Sequence, residues 1–394
     1  MTKLLEGYRV LDLSQVVMGP VATQVLAEFG AEVIKIEPPS GDTSRHIGPM
    51  KNPGMGYIFL HANRGKRSVV LDLKKPDGLE ALFKLAETAD VLVSNTRADA
   101  MDRLGISYAR LKQANPRIIY VNLLGFGSEG PRAGDPAYED LIQSLTAVPS
   151  LLMQGGAGEP MFVPLAFNDR ACGLICANAV LASLLARHRT GDGQHIILPM
   201  FETMAASVLA DHMGGATFDP PIGPMGYQRI LTDLRRPYRT LDGYVSMVLY
   251  TDKHWRAFAR ISGEEAWLAE DTRLHSLTAR SDHASEIYVR VVEIMRGRAS
   301  EEWLGLLHEA DIPAAIVHTL ESLLQDEQLA AMNVVRTSIH PSEGPVRTLE
   351  PAIRFGGHEA EPLCGAPRLG EHTQEVLREA GVDEDRIARI VEGR

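Results

Sequence analysis

Asp169 stands in VPLAFNDRACGL, where an apolar stretch gives way to a helical run rich in small residues. Two roles fit an aspartate at such a place. It can cap the helix, because Asp and Asn are favoured just before a first turn. It can also attack a thioester carbonyl and form a mixed anhydride, splitting one difficult exchange into easier steps. Composition does not choose between them.

Other reactive residues have plainer readings. Gly125-Phe-Gly127-Ser-Glu-Gly130 matches a dinucleotide fingerprint and follows a strand pattern. A pyrophosphate site needs a helix to begin inside the motif, whereas Pro131 and RAGDP come next here, which is loop chemistry. Cys172 and Cys176 lie four apart in an Ala-rich run, and Cys364 stands alone. With no second pair or His cluster beside them, they read as buried thiols, and no metal is expected. Arg64, Lys66 and Arg67 form a short basic cluster that reads as a solvated loop or the rim of an adenine nucleotide. His372, in GEHT, reads as a helix start.

Elements must position these groups. Strand patterns run Tyr8–Leu13, Glu32–Glu37, Ser68–Leu73, Asp90–Asn95, Ile118–Leu124 and 195–200. Helical patterns lie between them: 21–30, 77–89 and 107–115, then a long helix from Asp169 to Arg189. Continuous apolar strands alternating with helices imply a parallel sheet covered on both faces. Residues 218–240 lose periodicity and gain Pro, Gly and Arg, as a linker does. Beyond it an α+β unit is expected, with strands Tyr244–Tyr250 and Ala314–His318 and helices near 253–262, 284–296 and 301–310. The Pro/Gly-rich stretch 340–370 reads as a return linker before helices at 372–380 and 384–392. The expected domains are 1–217 and 336–394 for the large one, joined through 218–240 to a small one at 241–335.

Length and composition bound the function. The chain has 394 residues, 45% of them hydrophobic and 23% charged, so it can bury a large core. A net charge of -11 argues against nucleic acid or an anionic membrane as the main partner, since both require a basic surface. No apolar stretch of 18 residues or leader pattern is evident, and a cytoplasmic enzyme is expected.

The blocks along the chain resemble one family, the class III or CaiB/BaiF-type CoA-transferases, which include formyl-CoA transferases. The similarity runs through LEGYRVLDLSQVVMGPVATQVLAEFGAEVIKIEPPSGDTSR, NRGKRSVVLDLKKPDG and DVLVSNTRADAMDRLGISYARLKQANPRIIYVNLLGFGSEGP. It continues through YEDLIQSLTAV, the FND around Asp169, TGDGQHIILPMFE, YRTLDGY and LGEHTQEVL, in the family's order from residue 5 to 377.

The resemblance implies a Rossmann-like large domain built from both chain ends, a smaller inserted α+β domain, and a homodimer of interlocked rings. It implies that Asp169 forms an acyl-aspartyl anhydride and then an aspartyl-CoA thioester. Gln15, Val16, Val17 and Met18 match the loop near the thioester. Leu71, Lys74, Asn95, Thr96 and Arg103 match the stretch beside the nucleotide, and Tyr138 and Met200 match the pantetheine region. Lys74 and Arg103 would supply local positive charge for CoA phosphates. For Lys74 a solvated face remains an equal reading. The partners implied are an acyl-CoA and a free carboxylic acid. No separate cofactor is implied, since CoA travels with the substrate.

Three departures bear on the substrate. The glycine run of formyl-transferring members is missing between residues 220 and 262, where LRRPYRTLDGY stands. After Val16 the family often places Gln or an Ala-like residue; a Gln amide there would hold an acyl oxygen, whereas this chain has Val17-Met18. Racemases that resemble the family use a His-Asp pair to move a proton between faces, and Tyr138-Glu139 occupies the matching place. The expected activity is therefore acyl-CoA:carboxylate CoA transfer. A small dicarboxylate is a candidate acid, with Arg235, Arg236 and Arg239 either near it or in a solvated linker or dimer contact. The alternative is an acyl-CoA isomerase, either racemase-like or an intramolecular CoA-transferase.

Overall fold

Six short apolar runs form one parallel sheet: β1 (Arg9–Asp12), β2 (Glu32–Glu37), β3 (Lys66–Val70), β4 (Val91–Ser94), β5 (Ile119–Leu124) and β6 (His195–Pro199). Their spatial order is β3-β2-β1-β4-β5-β6. This is the doubly wound Rossmann order, in which the chain reverses direction across the sheet between β1 and β4. The computed structural model of the chain describes residues 3–227, 230–356 and 363–393. Residues 228–229 of the 218–240 segment and 357–362 of the 340–370 stretch lie outside the described residues.

Both faces are buried from β1 to β5, which explains why their apolar residues run on rather than alternate, whereas the edge strand β6 is partly exposed. Val10, Val33, Val93 and Val121 point into one core, against α1 (Met18–Glu28) and the long helix Phe167–Thr190. Their neighbours Leu11, Ile34, Leu92 and Tyr120 point into the other. That second core is closed by α2 (Pro76–Ala86), α3 (Tyr108–Ala114) and, from the far end of the chain, Val376, Leu377, Ile387 and Ile390. The C-terminal segment is stitched to β3 as well: His372 donates its N–H to the Ser68 carbonyl at 2.9 Å, and its Nδ1 accepts from Ser68 N–H at 3.2 Å. His372 thus precedes the helix Thr373–Glu379, while its ring binds the neighbouring strand rather than capping its own helix.

The chain divides into two compact units. Unit 1 comprises residues 1–142, 164–205 and 327–394, and unit 2 comprises 143–163 and 206–326. Residues 218–240 fall within unit 2, and residues 327–335 fall within unit 1. Unit 2 has a small antiparallel sheet of Tyr238–Arg239, Tyr244–Met247 and Ala314–Ile316. Helices Asp252–Ser262, Ala284–Met295 and Ser300–Glu309 surround its core of Trp255, Phe258, Val291 and Trp303. Arg235, Arg236 and Arg239 are exposed on this unit. The stretch from 340, read as a linker, begins inside an antiparallel hairpin of Val335–His340 and Gly344–Leu349 in unit 1.

Two further readings need correction. The cluster Arg64, Lys66 and Arg67 is not a solvated loop. Lys66 begins β3 and is buried, its ammonium donating to Asp12 Oδ2 at 2.9 Å, Thr23 Oγ1 at 2.8 Å and Asn63 Oδ1 at 2.8 Å. Arg64 is buried beside Glu28 and Glu350, and Arg67 bridges Glu32 and Glu379. Cys172 and Cys176 are buried as expected, but Cys364 is exposed. No run of 18 apolar residues stands in the chain, but one helix among the described residues, Phe167–Thr190, is long and on average apolar enough to cross a membrane by length and composition. Its Cys172, Cys176, Val180 and Leu184 instead fill the core under β1, β4 and β5.

Candidate active site

In an open α/β sheet, ligands bind outside the carboxyl ends of the strands where the strand order reverses. A cavity of about 280 Å³ lies there in unit 1. Its walls come from the ends of four strands and the connections leaving them: Gln15–Met18 after β1, Asn95 and Arg97 after β4, Leu124 at the end of β5 with Gly125 and 135–139 after it, and Met200 after β6. Asp169 completes it.

Asp169 does not cap its helix. α4 covers Glu139–Leu145 and α5 covers Phe167–Thr190, with Ala166 at the capping position and no side-chain cap of its own. Asp169 is the third residue of α5, and the cap comes from a distant residue. One carboxylate oxygen of Glu139 accepts the N–H of Asn168 at 3.1 Å, and the other accepts the N–H of Asp169 at 2.9 Å. These are two of the amide groups that a helix start leaves without partners.

This arrangement sets two like charges side by side. Burial, first, and the Glu139 carboxylate, second, push the Asp169 carboxyl up to about 6, with Arg170 opposing them. Asp169 is therefore mostly ionised at neutral pH, and its charge is held in a setting that disfavours it.

Small residues bring the helix close. A Cβ at Gly173 would lie 2.7 Å from the Met18 carbonyl and 3.2 Å from Val21 Cβ, so only glycine lets α5 pass this near the start of α1. Asp169, one turn earlier on α5, is thereby set beside the loop after β1.

That loop is strained. Val16 has φ 69°, a left-handed conformation that a β-branched residue adopts at a cost of roughly 1–3 kcal/mol. It is also tightly held. Lys35 Nζ donates to the Ser14 carbonyl at 2.8 Å, and Val16 N–H donates to Asp42 Oδ1 at 3.1 Å. Asn95 grips Gln15 at both ends, accepting its N–H at 2.9 Å and donating to its carbonyl at 2.8 Å.

The cavity brings together Asp169, Gln15, Val16, Val17, Met18, Asn95, Tyr138 and Met200, all singled out from the sequence. Leu71, Lys74, Thr96 and Arg103 lie outside its walls. Leu71 is buried in the second core, Lys74 is exposed, and Arg103 is exposed and paired with Asp99 at 2.7 Å. Glu139, Arg97 and Asp135 line the cavity without having been singled out as binding or catalytic. The Glu-Asp pair after Tyr138 was the available signal for Glu139, but its target lies 30 residues on. The Gly125–Gly130 motif forms turns, with no helix before Glu139, as its loop residues imply. A second cavity of about 280 Å³, in unit 2, is lined by Tyr250, Trp255, Arg280 and Tyr288. There the Arg280 guanidinium is engaged by Asp252 and the Leu274 carbonyl.

Residues 5–373 match the family model described as CoA-transferase family III. The chain belongs to CoA-transferase family III. Its relatives include a Mycobacterium tuberculosis protein named "Probable fatty acyl-CoA transferase", 32% identical over 387 residues, covering 95% of this chain and 98% of that one. A succinate–glutarate CoA-transferase of Agrobacterium fabrum is 30% identical, covering 91% of this chain and 95% of its own length. A crystal structure of a CaiB/BaiF family protein from Brucella suis superposes with a TM-score of 0.81 at 28% identity, covering 96% of this chain and all of that one.

Proposed function

We propose that this chain transfers CoA from an acyl-CoA to a free carboxylic acid, with Asp169 carrying the acyl group. The observation that carries the reading is the placement of Asp169: it lines the cavity at the strand reversal, ionised at neutral pH yet raised to about 6 by burial and Glu139.

The chemistry balances without a redox partner. The Asp169 carboxylate attacks the thioester carbonyl, and the C–S bond breaks to give an acyl-aspartyl anhydride and CoA thiolate. The thiolate attacks the aspartyl carbonyl and expels the donor acid as its carboxylate, leaving an aspartyl-CoA thioester. The acceptor carboxylate attacks that thioester and releases thiolate. The thiolate then takes the acceptor acyl group from the second anhydride and returns Asp169 as a carboxylate.

The environment favours these intermediates. Burial and Glu139 disfavour negative charge on Asp169, and both the anhydride and the thioester are uncharged at that carboxyl. A shift from 3.8 to about 6 corresponds to about 3 kcal/mol of bias against the free carboxylate relative to a neutral form. The raised basicity also makes the Asp169 carboxylate a stronger nucleophile than one with an ordinary pKa.

Asn95, expected beside the nucleotide, instead pairs with Gln15 in the cavity wall, so it and the Gln15–Met18 loop would receive the thioester end, with Tyr138 and Met200 beside the pantetheine. Leu71, Lys74, Thr96 and Arg103 would attend the nucleotide, Leu71 through its backbone because its side chain is buried. A small dicarboxylate acid and an interlocked homodimer are part of the same reading. Exposed Leu174, Ile175 and Leu185 on α5 support the dimer, since a helix with apolar residues on its open side calls for a cover.

Labelled oxygen tests the covalent route. With an acceptor acid carrying ¹⁸O in its carboxylate, one oxygen passes into the Asp169 carboxyl after a turnover, which peptide mass spectrometry reads. Turnover with no label at Asp169 contradicts the route. Deuterium entering the α-carbon of the acyl-CoA instead would identify the racemase-like isomerase.

A further inference from the structure

We propose that Asn95 and Asp42, the latter through its ion pair with Lys35, are positioning residues for acyl transfer: they hold Val16 in its left-handed conformation and so fix the loop that faces Asp169. This rests on the transferase reading.

Three consecutive residues of the loop, Ser14, Gln15 and Val16, are each gripped by a side chain from a different place in the fold. Lys35 comes from β2, Asp42 from the segment after β2, and Asn95 from the end of β4. A β1–α1 connection does not need this much restraint to close. Val16, about one-third exposed into the cavity, is an unfavourable residue for its backbone angle, where glycine would sit without strain. The loop therefore relaxes to another shape once the grips are removed. Its present shape, with Val16, Val17 and Met18 forming the wall, is the one that shares the cavity with Asp169.

The anchors are built for rigidity. Asp42 and Lys35 are fully buried, 2.9 Å apart, and Asp42 Oδ1 also accepts from the Ser44 N–H and hydroxyl at 2.8 Å. Neither can swing without leaving a buried charge unpaired. A thioester must present its carbonyl carbon about 3–3.5 Å from the attacking oxygen, and a misplacement of about 1 Å costs on the order of a hundredfold in rate. The wall beside Asp169 is thus a place where such restraint has a use.

The test compares Asn95→Ala, Val16→Gly and the double variant with wild type. Its readouts are the rate at which acetyl-, propionyl- and succinyl-CoA load Asp169, and kcat and KM for whichever donor loads. Asn95→Ala is chosen because Asn95 is only part-buried and uncharged, so the variant folds; Asp42→Asn is read only if it melts as wild type does. Asn95→Ala is expected to slow loading ten- to a hundredfold, mainly in kcat. In the Val16→Gly background the same substitution is expected to cost less than a third of that factor, because glycine does not need holding. Loading by Asn95→Ala within twofold of wild type, or an equal loss in both backgrounds, overturns the positioning role and leaves the transferase reading intact. No loading of wild type by any donor overturns both.

Discussion

The carboxylate of Glu139 accepts the backbone N–H of Asp169 at 2.9 Å, so the turn that carries Asp169 is capped by a like charge. Glu139 orders the start of α5 and at the same time raises the cost of ionising the residue it orders. A cap from Asp169 itself would have occupied the carboxylate with its own backbone.

Glu139→Gln keeps an acceptor for the cap and removes the charge. The pH midpoint for loading Asp169 should then fall below its wild-type value near 6 but stay above the ordinary carboxylate value, since burial is the larger cause. Glu139→Ala should lose both caps as well and about 1–2 kcal/mol of stability. A pH–rate profile of both variants checks this; a midpoint that rises would contradict it.

Asp169→Asn should stabilise the protein at neutral pH and not in acid. The folded-state pKa is raised from 3.8 to about 6, so ionisation carries no penalty below about pH 4, a growing one between pH 4 and 6, and its full penalty above pH 6. The variant gains up to about 2–3 kcal/mol at pH 7. Urea unfolding of both proteins across this range decides it, and equal gains at pH 3.5 and 7 would refute the assignment.

Lys66→Ala should be strongly destabilising, by about 3–5 kcal/mol, because it strands the Asp12 carboxylate in a dry interior. Burial alone would push Asp12 up; Lys66 and Lys35 outweigh it and hold the carboxyl well below its usual range. A loss under 1 kcal/mol in thermal or urea melts would mean that water reaches the site.

One thiol per chain should react quickly with a disulfide reagent in the native protein, and all three after unfolding. Cys364 is exposed, whereas burial above all pushes Cys172 and Cys176 up to about 12. Native titration to two or three thiols would contradict this.

Much of the fold was legible in the sequence, for a physical reason. Strands buried on both faces announce themselves as apolar runs, and β1, β2 and β5 lie within a residue or two of where the pattern puts them. Asp169 could be placed at a helix start, but its position inside the first turn depends on Glu139, whose partnership no local pattern reveals. Lys66 looked like a solvated cation because its partner Asp12 lies 54 residues away. The bent backbone of Val16 was hidden for the same reason, since valine argues against the conformation that Asp42 and Asn95 impose. Local chemistry shows in the sequence; charges matched across the fold do not.

Acylation of Asp169 is the step on which the proposed mechanism turns, and intact-protein mass spectrometry tests it most directly. Wild type and Asp169→Ala are incubated briefly with acetyl-, propionyl- and succinyl-CoA, quenched in acid and weighed, and the modified peptide is sequenced. The expected result is a mass increase from bound CoA on wild type, mapped to Asp169 and missing from the variant. Turnover of a thioester by wild type with no adduct, or an adduct of equal yield on Asp169→Ala, would contradict it.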